Sequence, residues 1–232
     1  MKPAREVAKS DKVLGADDSF APRFARYDVP AAEEAVARTV KALTDKRFIV
    51  HVVDDEAGAL ALLAGMLKDG MEISMGGSTT LSQIGFTEVL KAREDTVVNY
   101  KGLAIAARTA GDMAKYATLI AKGSTADVFF SSVSAITEEG VMHACDYSGS
   151  RINGWYAAKK LVLVAGTNKI VKDDAAADQR LMEYQYPLES ARMRQSTLLP
   201  GSSVSNKVQI REVGPAPVSR VTVVLIRKSL GF

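Results

Sequence analysis

The sequence has one cysteine, Cys145, so no disulfide can form within the chain. That fits a reducing compartment. The start, "MKPAREVAKSDKVLG", lacks the apolar core of a signal peptide. No run approaches the ~18 consecutive apolar residues of a membrane helix. We therefore expect a cytoplasmic protein with no membrane partner. Net charge is only +3 and the basic residues are dispersed. There is no basic stripe and no aromatic RNA-binding motif, so nucleic acid is not an expected partner. No internal repeat and no low-complexity tract is present. The two histidines, His51 and His143, lack a regular ligand spacing with Cys145. No metal site and no cofactor is expected. Walker, dinucleotide and G-x-S-x-G signatures are missing too, which argues against nucleotide-fold motifs and serine hydrolases.

What is there is core. Hydrophobic residues make up 47% of 232 positions, enough for one large α/β domain. Residues 1–29 are polar and irregular and read as an N-terminal arm; residues 30–232 read as a single domain. Val36, Val40 and Leu43 lie on one helical stripe. "RFIVHVV" (47–53) is a β-branched run short enough for a buried strand, and "DDEAGALALLAGMLKDG" reads as a helix with acids in its first turn and Gly70 beyond its last. A helix is expected from the glycine-rich junction through about Ala92, then a strand at "TVVNY" and a helix marked by Met113, Tyr116, Ala117 and Ile120. This alternation predicts a mainly parallel central sheet flanked by helices.

The second half has the strands "ADVFFSSV", "GVMHACD" and "KKLVLVAG" with no evident helix between them. A helix over "DDAAADQRLMEYQ" should end at Pro187. "LLPGSSVSNK" reads as a flexible loop. "KVQIREV" and "SRVTVVLI" are late strands. In the last one, Val221, Val223 and Leu225 face one way and Val224 and Ile226 the other. With both faces apolar, it belongs inside the sheet.

Three segments carry candidate chemistry. In "MGGSTT", Gly76 and Gly77 would let backbone approach a ligand, and the N–H groups of Ser78, Thr79 and Thr80 would open a helix. Such a junction can hold a phosphate or carboxylate, or it can be a capped turn. Residues 131–154 follow a buried strand and hold Ser134, Thr137, Glu138, Gly140, Asp146 and Arg151; a polar turn is the alternative. In "VAGTNKIV", a strand delivers Asn168 and Lys169 at its C-terminal end, either for a carbonyl or phosphate or as a helix cap. Parallel sheets gather such strand ends at one rim.

"MGGSTTLSQIGFTEVL", "ADVFFSSVSAITEEG", "CDYSGSR" and "VLVAGTNKIVKDDAAADQR" resemble successive landmarks of the LUD-domain family, that of lactate-utilisation protein C. The closing "SRVTVVLIRKSLGF" resembles its C-terminal strand. The likeness runs over about residues 30–232. It implies the fold shared by glucosamine-6-phosphate deaminase, ribose-5-phosphate isomerase, the CoA transferases and formyltetrahydrofolate cyclo-ligase. It also implies a link to bacterial lactate oxidation beside iron–sulfur partner proteins. The Thr-Glu-Glu-Gly stretch looks like the glutamate turn of CoA transferases, which would make Glu138 a nucleophile or general base.

Two departures stand out. Relatives often carry Asp-x-x-Gly-Asn-Arg, where this chain has Ser150 for the Asn. The cysteine cluster of many relatives is absent from "MRQSTLLPGSSVSNK", so no cluster-bearing role is expected there. The expected ligand is a small anion: a carboxylate, a phosphate or a CoA-type thioester. The competing expectation is a non-catalytic subunit docking on redox partners, and a homo-oligomer is compatible with either.

Overall fold

The computed structural model describes residues 25–196, 200–214 and 219–232. Most of the expected arm, residues 1–24, and part of the 198–207 loop lie outside the described residues. Helix α1 (Glu33–Asp45) has Glu33 and Glu34 in its first turn and buries Val36, Thr39 and Leu43. It hands over to β1 (Ile49–Val53). Helix α2 (Glu56–Gly65) starts where the Asp55 carboxylate accepts the Gly58 N–H at 2.8 Å. Strand β2 (Glu72–Met75) follows. The stretch expected as one helix is two, α3 (Thr79–Gln83) and α4 (Phe86–Ala92). They are broken at Gly85, whose left-handed φ of 79° interrupts the hydrogen-bond ladder.

The expected strand at "TVVNY" shrinks to β3 (Val98–Asn99). The side chain of Asn99 then caps α5 (Tyr100–Thr109), which periodicity did not reveal. Helix α6 (Met113–Ser124) leads to β4 (Val128–Ser131). Its Gly123 lies so close to β2 that a Cβ would stand 2.5 Å from the Ser74 hydroxyl. After β5 (Ala135–Thr137) and β6 (Met142–Asp146) comes a short helix, α7 (Ile152–Ala157), where none was expected. Strand β7 (Lys160–Gly166) runs into a 3-10 turn (Thr167–Lys169) and β8 (Ile170–Val171).

Helix α8 (Asp174–Arg180) does not stop at Pro187. It passes through a π-helical turn (Leu181–Gln185) into α9 (Tyr186–Ser196). A proline normally ends a helix because it removes an N–H and crowds the preceding turn. The wider π turn just ahead of it shifts the hydrogen-bond register, so the helix continues. Strands β9 (Asn206–Ile210) and β10 (Val221–Ile226) complete the described chain.

The central sheet has six strands, all parallel, in the order β1-β10-β7-β4-β2-β3. Strand β10 is internal, with Val223 paired to Val50 on one side and Leu163 on the other. Its alternating faces feed two separate cores. Val221, Val223 and Leu225 pack with Leu43, Phe129 and Trp155. Val224 and Ile226 pack with Leu63, Leu81 and Phe86 from α2, α3 and α4. "KVQIREV" does not return to this sheet. It forms β9 of a smaller four-stranded sheet, ordered β8-β5-β6-β9. That smaller sheet lies over the first core, to which it contributes Ile136, Met142, Ala144, Val208 and Ile210.

Candidate functional site

With six parallel strands, the C-terminal ends of β2, β4, β7 and β10 share one edge, and four connections emerge there. They are residues 76–80, 132–134, Thr167–Lys169 and 227–232. The tight 3-10 turn after β7 tucks Lys169 inward, leaving it 2% exposed. Its Nζ lies 2.9 Å from Ser132 Oγ, 3.1 Å from Thr80 Oγ1 and 3.1 Å from the Val133 carbonyl. Burial holds this amine well below the usual lysine range, and Arg180 and Arg151 push it the same way. The neighbouring Asn168 accepts the Leu230 N–H at 3.1 Å and donates to the Tyr27 carbonyl at 3.4 Å. It thus pins residues 227–232 across the rim, where the Gly231 N–H donates to Gln83 Oε1 at 2.6 Å.

Arg180 is wholly buried. Its Nη1 donates to the Ser134 carbonyl at 2.6 Å and its guanidinium stacks 5.0 Å from the Tyr184 ring centroid. Its Nε and Nη2 have no hydrogen-bond partner. Burial lowers its pKa to about 10, and no carboxylate among the described residues offsets that. Beside it, Gln185 donates to Cys145 Sγ at 3.7 Å, while its Oε1 is buried without a partner. Burial raises the Cys145 thiol, so it stays protonated and contributes a weak polar wall. Arg151 closes another side. Its Nη2 donates to the Gly77 carbonyl and its Nη1 to the Cys145 carbonyl, and its Nε is buried and unpartnered. The Lys101 amine is lowered by burial first, then by Arg108 and Arg151. Among the described residues, no group of three or more His, Cys, Asp or Glu side chains could hold a metal ion.

The expected residues divide between this cluster and the scaffold around it. Thr80, Ser134, Arg151, Asn168 and Lys169 come together. The 76–80 junction does link a strand to a helix, but Ser78 acts as the cap, its Oγ accepting the Leu81 N–H at 3.1 Å. Thr79 is the first residue of α3 and half-buried. At Gly76 a Cβ would come within 3.1 Å of Arg151 Cγ, so the missing side chain makes room for that arginine. Gly77 is exposed, and a Cβ there would meet nothing within 4 Å. Asp146 works on backbone: its carboxylate accepts N–H groups of Gly149, Arg151 and Ile152 at 2.8–3.0 Å and the Asn206 amide. It opens α7 and aims Arg151 without entering the cluster.

Glu138 departs from expectation. Its carboxylate is 2.6 Å from Arg38 Nε on α1, not beside Lys169. The reason is the path of the β5–β6 hairpin. Thr137 Oγ1 accepts the Val141 N–H, and Gly140 (φ 76°) presses against α1, where a Cβ would be 3.0 Å from the backbone of Ala42 and Leu43. The hairpin therefore carries Thr137, Glu138 and Gly140 away from the rim and onto α1. Sequence reasoning also missed Arg180 and Gln185. Arg180 had a signal: Ala177, Arg180, Leu181 and Tyr184 form one buried helical stripe, and a charge inside an apolar stripe asks for a partner.

A family model described as LUD domain matches residues 36–226. No curated protein matches. Among solved structures, the chain is similar to a DUF162 family protein from Deinococcus radiodurans, 11% identical with a TM-score of 0.48; the match covers 85% of this chain and 99% of that one. It is also similar to eIF2B delta from Chaetomium thermophilum, 14% identical with a TM-score of 0.31, over 62% of this chain and 53% of that one.

Proposed function

Since the chain belongs to the LUD-domain family, a lactate-utilisation-related domain, we propose that it binds a small anionic metabolite at the rim formed by Lys169, Arg151 and Arg180. The ligand class is a carboxylate, a phosphate or a CoA-type ester, used in lactate or related organic-acid utilisation. One observation carries this reading. Arg180 is completely buried, has no acidic partner among the described residues, and leaves two N–H edges unpaired. A guanidinium in that state is costly unless something fills its fork, and carboxylate and phosphate oxygens match that fork bidentately. The unpartnered Arg151 Nε and Gln185 Oε1 add a second donor and an acceptor nearby. The acceptor would suit a ligand hydroxyl or amide.

A thermal-shift and calorimetric screen against L-lactate, sugar phosphates, CoA esters, ATP and folates tests the proposal. At least one anion should stabilise the protein, and Arg180→Met should remove the effect. A subunit that only docks on redox partners would be indifferent to all of them. A response that survives in Arg180→Met would place the ligand elsewhere.

A further inference from the structure

Resting on that anion site, a second feature points to covalent chemistry. Lys169 has three hydrogen-bond partners and none is an acid. An ammonium taken into the interior ordinarily meets a carboxylate. Two hydroxyls and one carbonyl suit a neutral amine equally well. A neutral amine there would donate its two N–H groups to the Val133 carbonyl and one hydroxyl, and its lone pair would accept from the other hydroxyl. Ser132 Oγ and Thr80 Oγ1 are themselves 3.3 Å apart, so protons can pass between them. The overlying strap presents only backbone to Nζ, because a Cβ at Gly231 would come within 3.1 Å of it and 2.2 Å of Thr80 Oγ1.

We propose that Lys169 is an amine nucleophile that forms an imine with a small carbonyl compound whose carboxylate or phosphate rests on Arg180 and Arg151. The Nζ lone pair attacks the carbonyl carbon and a C–N bond forms. The carbonyl electron pair moves to oxygen, which takes a proton from Nζ by way of the Ser132 or Thr80 hydroxyl. The resulting hydroxyl leaves with the second Nζ proton as one water, and C=N forms. No oxidant or reductant is consumed. Burial and the two nearby arginines lower the amine's pKa well below the usual lysine range, which raises its share of the free amine that attacks.

The experiment incubates the full chain at neutral pH with glyoxylate or with glycolaldehyde phosphate, in the presence of cyanoborohydride. Reduced adducts are located by peptide mapping. Lys169 should be labelled at least several-fold faster than any exposed lysine, since its lowered pKa raises the share of free amine at neutral pH. Excess inorganic phosphate should slow this labelling, and the two probes separate a carboxylate from a phosphate anchor. Lys169→Met should lose the label, and protection of the wild-type protein by phosphate keeps the test valid if that variant fails to fold. Labelling confined to exposed lysines, in protein that phosphate still stabilises, overturns the amine and leaves the anion site standing. Absence of both labelling and stabilisation removes the two readings together.

Discussion

Replacing Arg180 by methionine should make the empty protein no less stable, or slightly more so, while destroying its response to anions. Burial lowers the guanidinium from its ordinary range to about 10. At about 1.4 kcal/mol per pH unit, the folded state holds this charge roughly 3 kcal/mol less favourably than the unfolded chain does. Methionine has a similar reach and no charge to desolvate. Against that gain stands the lost 2.6 Å bond to the Ser134 carbonyl. Leaving a buried carbonyl short of its donor costs about 1–3 kcal/mol. The balance lies between zero and about 2 kcal/mol in favour of the variant. For a domain of this size, that is up to several degrees in Tm. Urea denaturation without added anions measures it, repeated with the best anion from the screen. A variant more than about 2 kcal/mol less stable than wild type, a scale typical of disruptive core changes, would show that Arg180 is a strut. The buried charge would then not be a net cost to the empty protein. The anion site itself would be refuted by a variant whose Tm climbs with anion as the wild type does.

Three further outcomes are expected. Burial is the leading cause that holds His143 below its ordinary 6.5, with Asp174 at 2.8 Å opposing it. The unfolded chain therefore takes the proton first as pH falls, so this residue's contribution is intact above about pH 6.5 and lost below it. The urea midpoint should fall from pH 7 to pH 5 and His143→Gln should flatten the slope; an equal slope in both proteins counts against the assignment. Gly76→Ala should push on Arg151 and weaken anion binding by about 1 kcal/mol, several-fold in Kd, whereas Gly77→Ala should bind as wild type. Calorimetry that ranks them the other way would discard the role given to Gly76. Deleting residues 219–232 removes β10 from the middle of the central sheet and should give insoluble protein; a soluble, cooperatively melting truncation would contradict that pairing.

The parts of the fold legible in sequence were those with a periodic cause. Strand β10 was readable as internal because its two faces are both apolar. Helix α2 was readable from its acidic start and Gly70. Helix α5 was not, because only Ala104 and Ala107 of its residues are buried, and two alanines make no visible stripe. The break at Gly85 and the passage through Pro187 depend on backbone geometry that residue type permits but does not dictate. At the rim, Thr80, Arg151 and Lys169 were legible because parallel strands collect their ends. Glu138 was misplaced because the direction of its hairpin is set by the contact between Gly140 and α1, about a hundred residues away in sequence. Arg180 was hidden in a helix read only for its length.

The position of β10 also constrains how the chain can be made. Among the described strands, β1 pairs only with β10, and β7 needs β10 on one side. Residues 49–53 leave the ribosome long before residues 221–226. At about 5–20 residues per second, that delay is on the order of ten seconds. Throughout it β1, and from its own synthesis onward one edge of β7, carry unpaired backbone groups, a template for pairing with other chains. The nascent protein must therefore keep a slot open between them until its final strand arrives. Slowing translation near the 3′ end of the message should raise aggregation of this protein more than slowing it near the start.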